Sequence, residues 1–336
     1  MKALILKQYN KPYIMEEIPI PIANERQVLV KISHSGVNPL DLKIKSGQAA
    51  HAQTKMPDAI LGTDMSGVIV SVGNEVKNFK VGDAVYGMVG GIGGAQGTLA
   101  EYAAVDPDLL ALKATNISFK EAAALPLITI TAWEAMIDRA DIQKGSTVLV
   151  HGGAGGVGHI AIQIARAKGA IVYTTVSSDQ IETVRNLGAI PIDYTKYSVK
   201  EYITEFTNDE GFDVVLDTIG GTVLDASFTA VKRYTGHVIS ILGWGSHSLA
   251  PLSFRGASYS GVFTLYPLIS GKHRKHHGKI LTEVSKLIDT GDLKPLVDGN
   301  DYTMDSIDDA YKKMEDGSAQ GKIIISIANN QDENLS

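Results

Sequence analysis

Three glycines, Gly153, Gly155 and Gly158, stand at Gly-x-Gly-x-x-Gly spacing between the β-branched run "TVLVH" and the helix-forming run "HIAIQIARAKG". In that spacing the first glycine allows a tight turn, the second lets main chain approach a pyrophosphate, and the third lets the helix pack closely on the strand. The N-terminal amides of the helix then point at phosphate oxygens. A glycine-rich turn can also be a plain strand-to-helix connection. Here a strand precedes it, a helix follows, and a second strand, "AIVYTTV", comes at the distance a dinucleotide-binding βαβ unit requires, which favours the nucleotide.

An NAD site places Asp or Glu about 20 residues further on, where it accepts hydrogen bonds from the ribose. Thr175 stands there instead. Without that charge a 2′-phosphate meets no repulsion, and Ser177 and Ser178 offer donors beside it, so NADPH is expected ahead of NADH. The two serines could also cap the next helix. A cation is expected on that helix; Ile181 occupies its place and Arg185, one turn on, is the nearest candidate.

These residues need a frame to hold them. A chain of 336 residues suggests two domains. From Met1 to about Lys113, short strand-like runs such as "QVLVKIS" and "SGVIVSVG" alternate with Gly, Pro and Asn, the pattern of a small antiparallel β domain. Near Ser118 the period changes to a helical one, opened by a capping box of Ser118 and Glu121. Six strand candidates follow, "TVLV", "AIVYTTV", "IPIDY", "FDVVLDTIG", "HVISIL" and "GVFTLY", with helical segments separating several of them. That rhythm predicts an α/β fold with a doubly wound parallel sheet. The tail beyond Pro267 does not continue the sheet and is expected to return to the N-terminal domain.

Net charge is −6, which gives no basic field for nucleic acid or an anionic membrane. There are no cysteines, so disulfides, thiolate zinc sites and cysteine nucleophiles are excluded together. The chain opens on a strand-like pattern rather than a leader, and a cytoplasmic location is expected.

The segments "GVNPLDLKIKSG", "LGTDMSGVIVSVGNEVKNFKVGDAVYG", "LPLITITAWEAM", "VLVHGGAGGVG", "IDY", "DVVLDTIGG" and "GSAQGKIIISI" resemble, in order and spacing, the medium-chain dehydrogenase/reductase superfamily. Within it they are most similar to the zinc-free quinone oxidoreductase and alkenal/enone reductase branch. The resemblance implies a discontinuous GroES-like domain, residues 1–118 and 266–336, around a six-stranded Rossmann domain, residues 119–265. It also implies a homodimer paired through the sixth strand.

The zinc alcohol dehydrogenases of this superfamily hold a catalytic metal with Cys, His and Cys. Asn38 stands at the first of those positions and Thr63-Asp64 at the His-Glu pair. Asn and Thr do not complete a tetrahedral N/S zinc site, so a metal-free mechanism is expected. Reducing a quinone, alkenal or enone suits it, because the acceptor delocalises charge onto its own oxygen and hydrogen-bond donors can stabilise the anion. The candidate donors are Asn38 and Lys43, although Lys43 could equally be a solvated lysine.

By the same resemblance Thr131 approaches the nicotinamide ribose or phosphate, and Gly155, Gly156 and Val157 the pyrophosphate. Ser177 meets the adenosine phosphate and Tyr194 the adenosine end. Ile219 and Gly220, Leu242 and Gly243, and Lys322 flank the nicotinamide. A 2-enoyl thioester reductase and a non-catalytic, crystallin-like NADPH-binding protein remain open. The run "GKHRKHHGK" reads as a solvated helix start rather than a metal site.

Overall fold

The computed structural model describes residues 1–52, 54 and 56–327. Residues 328–336 of the expected C-terminal piece lie outside them. The chain divides into two compact units, Met1–Leu127 with Leu265–Gly291 and Pro295–Ser336, and Ile128–Thr264 with Asp292–Lys294.

The N-terminal part of the first unit carries β1 (Lys2–Leu6), β2 (Ile14–Glu17), β3 (Val28–Gly36), β4 (Ala59–Ile60), β5 (Asp64–Val72), β6 (Ala84–Met88), β7 (Tyr102–Val105) and β8 (Leu110–Leu112). Along β3 the side chains of Val28, Val30 and Ile32 are buried while Leu29, Lys31 and Ser33 are half-buried, the period of two that a sheet with one inner face demands. The helix α1 (Pro39–Lys45) follows β3 directly. Asn38 caps it, Pro39 fills its first turn where no amide hydrogen is needed, and Asp41 closes the capping box.

The second unit holds β9 (Thr147–His151), β10 (Ile171–Val176), β11 (Ile190–Asp193), β12 (Val214–Asp217), β13 (His237–Ser240) and β14 (Ser258–Gly261). They form one parallel sheet in the order β11-β10-β9-β12-β13-β14. The order reverses between β9 and β12, and in open α/β sheets ligands bind outside the carboxyl ends of the strands at such a point. Val148, Leu149 and Val150 of β9 are fully buried, as a central parallel strand covered on both faces requires. Two last strands, β15 (Tyr302–Thr303) and β16 (Ile324–Ser326), belong to the first unit, where β16 pairs antiparallel with β3.

Two boundaries differ from the sequence-based expectation. The helix α2 (Phe119–Ala123) groups with the first unit, because the Ser66 hydroxyl donates to the Phe119 carbonyl and the Leu127 amide to Asp64. The helical run is also broken: Pro126, which lacks an amide hydrogen, starts a new helix, α3 (Pro126–Trp133), and a π turn over Glu134–Arg139 follows it. The sixth strand is Ser258–Gly261 rather than "GVFTLY". β13 ends at Ser240, which pairs with Gly261, and Pro267 opens the helix Tyr266–Ser270. The run "GKHRKHHGK" enters the helix Arg274–Asp289, where Arg274 pairs with Asp106 at 3.0 Å. Among the described residues no helix is long and apolar enough to cross a membrane.

Candidate active site

In the second unit the glycine turn joins β9 to α4 (Gly156–Ala167). The residue with left-handed backbone is Gly152, φ 73°, one place before the expected Gly153. Gly153 is required for another reason: a Cβ there would run into the Thr174 hydroxyl and lie 2.9 Å from Ile162 Cδ1. At Gly158 a Cβ would strike the Gly152 carbonyl and lie 2.9 Å from Gly153 Cα. Gly155 differs, since its Cβ would meet only the Gly152 carbonyl, at 3.2 Å. The open side of Gly155, with Gly156 and Val157 beginning the helix, is a cradle of main-chain amides shaped for a phosphate.

At the end of β10 neither serine caps the following turn with its side chain. Ser177 holds the N-cap position without a cap bond, and Ser178 donates to Asp193 Oδ2 at 2.5 Å. Thr175 is buried and its hydroxyl bonds His151 Nδ1 at 3.0 Å. Burial pushes the His151 imidazole down to about 4, so it is neutral and structural. Tyr194 follows β11 with its side chain 58% exposed, beside the serines because its amide donates to the Val176 carbonyl at 3.2 Å.

At the other side of the switch point Asp217, fully buried, ties two loops together. Its Oδ1 accepts from the amides of Ile219 (3.0 Å) and Gly220 (2.9 Å), and its Oδ2 from the Ser240 hydroxyl (2.7 Å). Ser240 Oγ in turn accepts from the Leu242 amide at 3.1 Å. One carboxylate therefore sets both candidate nicotinamide-side loops, with Gly243 packed against the Tyr259 hydroxyl. Asp217→Ala would leave three donors unpaired and is expected to cost about 3 kcal/mol in a denaturant unfolding experiment. Thr131 lies in the same unit, on α3: its hydroxyl lies 3.0 Å from that of Thr264, which donates to Glu134 at 3.2 Å.

In the first unit Asn38 is the hub of a buried polar cluster. Lys322 Nζ donates to Asn38 Oδ1 at 2.5 Å and to the Val37 carbonyl at 2.7 Å. The ammonium fixes the orientation of the amide, so Asn38 Nδ2 faces Thr63 Oγ1 at 3.1 Å and Asp64 Oδ2 at 2.9 Å. The Asn38 main-chain amide donates to Asp41 Oδ2 at 2.8 Å, while Asp41 Oδ1 has no partner among the described residues. Both side-chain hydrogens of Asn38 are thus engaged. The Lys322 ammonium keeps a third hydrogen with no acceptor among the described residues.

Burial dominates the electrostatics of this cluster. It raises the Asp64 carboxyl to about 6 against the pull of Lys322, pushes Asp41 up, and pulls Lys322 down. Lys43 is placed differently: it is exposed in the last turn of α1 and outside the network.

Two family models match the chain, the alcohol dehydrogenase GroES-like domain over residues 24–115 and the zinc-binding dehydrogenase over residues 187–325. The chain is 34% identical to an NADPH-dependent alkenal/one oxidoreductase of Arabidopsis thaliana, over 97% of this chain and 79% of the other. The chain belongs to the medium-chain dehydrogenase/reductase superfamily and is an oxidoreductase. Among solved structures, an alcohol dehydrogenase superfamily protein of Novosphingobium aromaticivorans matches with TM-score 0.95 and 49% identity, covering 98% of this chain and all of that one. The quinone oxidoreductase of Coxiella burnetii matches with TM-score 0.82 and 27% identity, covering 98% and 99%.

For a medium-chain dehydrogenase/reductase the donor set around Asn38 is unusual chemistry for zinc. It offers, among the described residues, an amide, a hydroxyl and two carboxylates, with the Lys322 amine already bonded to the amide oxygen and no thiolate or imidazole, and this does not fit a tetrahedral N/S zinc site. The glycine turn does fit a dinucleotide. Sequence reasoning missed Asp41 and Asp217, and placed Asp64 only as the counterpart of the glutamate in the zinc relatives' His-Glu pair. Nothing local marks Asp41 or Asp64 as buried. For Asp217 the signal that could have found it is the Asp-x-x-Gly of "LDTIGG", the mark of an Asx-type turn.

Proposed function

We propose that the protein is an NADPH-dependent, zinc-independent reductase of α,β-unsaturated carbonyls or quinones. The observation that carries this reading is the buried Lys322 side chain donating to Asn38, the residue that stands at the first zinc-ligand position of the zinc alcohol dehydrogenases. A bound reduced nicotinamide supplies a hydride to an electron-poor carbon. In a conjugated acceptor the resulting charge moves to oxygen, where cationic and hydrogen-bonding groups stabilise it until solvent supplies the proton that completes the product. Lys322 provides such a group, held by Asn38 and the Val37 carbonyl, and Thr63 and Asp64 orient Asn38. Gly155, Gly156 and Val157 bind the pyrophosphate, Ser177, Ser178 and Tyr194 the adenosine end, and the loops set by Asp217 the nicotinamide end. Thr131 is assigned to the ribose side, and Lys43 to no step.

The alkenal/one relative supports an activated alkene as acceptor, and the quinone oxidoreductase neighbour a quinone. A homodimer is part of the proposal. β14 lies at the edge of its sheet, with Tyr259 40% and the neighbouring Phe254 84% exposed, and an unpaired edge of this kind favours a second copy.

The test follows oxidation of NADPH and of NADH with a quinone, an alkenal, an enone, crotonyl thioester and a saturated aldehyde, each with and without a chelator. Turnover with NADPH and the alkenal, enone or quinone, unchanged by chelation, is expected. No turnover with any acceptor, or activity restored only by zinc, would overturn the reading.

A further inference from the structure

The cation expected beside the 2′-phosphate is not on the helix that follows β10. Ile181 opens that helix, and Arg185 is turned to Glu182 on the same helix, Nη1 to Oε1 2.6 Å. A different cation reaches the spot from the neighbouring strand. Lys196, in the loop after β11, places Nζ 3.1 Å from Asp193 Oδ2, the same oxygen that accepts the Ser178 hydroxyl. Ammonium and serine hydroxyl are therefore neighbours across one atom, and Val176↔Asp193 pairing sets them at the carboxyl ends of β10 and β11.

Asp193 is the anchor of this arrangement. Its side chain is 5% exposed, and its oxygens take the Thr195 amide at 3.0 Å, the Thr195 hydroxyl at 2.7 Å, Ser178 and Lys196. Four donors satisfy a carboxylate, so Asp193 has no capacity left for ribose hydroxyls and is not an NAD-type acid. The hydrogen bonds from Ser178 first, and then from Thr195, hold it far below the usual carboxylate range, so it is ionised at all working pH values. Lys196 itself is 66% exposed and spends one ammonium hydrogen on Asp193. Its other two have no acceptor among the described residues. The Ser177 hydroxyl also makes no cap bond.

We propose that Lys196, held by Asp193, is the specificity-determining cation that receives the 2′-phosphate of NADPH, together with Ser177. The inference rests on the NADPH reading above and deepens it. A dianionic phosphate there gains an ion-paired hydrogen bond from Lys196, whereas a neutral 2′-hydroxyl can accept only the weaker ion–dipole bond.

Isothermal titration of the full chain at fixed salt tests this with two ligand pairs, adenosine 2′,5′-bisphosphate against 5′-AMP and NADP⁺ against NAD⁺. Lys196→Gln is expected to weaken only the 2′-phosphorylated member of each pair, by roughly ten- to a hundredfold, the range of one charge-assisted bond. Lys196→Arg should keep most of the preference, and Arg185→Gln all of it. Equal loss for both members of a pair, no loss, or loss with Arg185→Gln instead would overturn the assignment of Lys196 while leaving the NADPH reading standing. A wild-type chain that binds both members equally would overturn both. Lys196 is exposed, so unchanged thermal unfolding should accompany the loss.

Discussion

Gly158→Val is expected to abolish nucleotide binding and to lower thermal stability at the same time. A Cβ at position 158 collides with the Gly152 carbonyl and sits 2.9 Å from Gly153 Cα, and both are main chain of the turn itself. Flexible side chains can give way, but this backbone cannot do so without opening the turn, which is the element that would carry the pyrophosphate. The expected loss in NADPH affinity is at least about a hundredfold, with a stability cost of about 2–4 kcal/mol from the strained junction of β9 and α4. Gly155→Ala separates the two effects. Its Cβ meets one atom at 3.2 Å, so the fold should survive nearly intact while the phosphate cradle is filled. Fluorescence titration with NADPH and thermal unfolding, run on both variants, check this. Equal binding by Gly158→Val and wild type would remove the turn from the site.

Lys322→Met is expected to have the second large effect, and its dependence on pH has a definite sign. Removing one partner of a buried charge network leaves the others uncompensated, at a cost of about 3–5 kcal/mol. Burial raises Asp64 from 3.8 to about 6, so between these values the folded state binds the proton that the unfolded state has lost. The contribution of Asp64 to stability is therefore full in acid and is lost as pH rises to about 6. Without Lys322 the raising effect of burial is less opposed and the decline continues to higher pH. The deficit of Lys322→Met relative to wild type should thus be larger at pH 8 than at pH 5, measured by denaturant unfolding. Adding Asp64→Asn should recover part of it at pH 8. A deficit independent of pH would show that Lys322 carries no charge in the folded cluster.

The two halves of the site were unequally legible in the sequence. The glycine turn is local: strand, turn and helix are consecutive, and close approach within a few residues dictates glycine, so the motif could be read directly. Even there the left-handed residue is Gly152 rather than Gly153, because spacing identifies the motif but not which φ carries the turn. The cluster around Asn38 is non-local. Lys322 meets Asn38 across 284 residues, through antiparallel pairing of β16 with β3 in which Ile324 faces Gly36. A two-residue step along each strand from that pair brings the lysine to the asparagine, and no local pattern encodes such a register. Lys196 escaped for the same reason, since it reaches Asp193, and through it Ser178, from the loop after the adjacent strand. The sixth strand was misplaced because apolar residues in "GVFTLY" outweighed the polar "SYSG" that pairs with β13.

The most direct test of metal-free hydride transfer to a conjugated acceptor uses chelator-treated protein, NADPH carrying deuterium at the transferable C4 position, and a simple enone, with the product examined by NMR. One deuterium on the β-carbon of a saturated ketone, formed at the rate of untreated protein, is the expected result. Deuterium on the carbinol carbon of an allylic alcohol, or product formed only after zinc is returned, would contradict it.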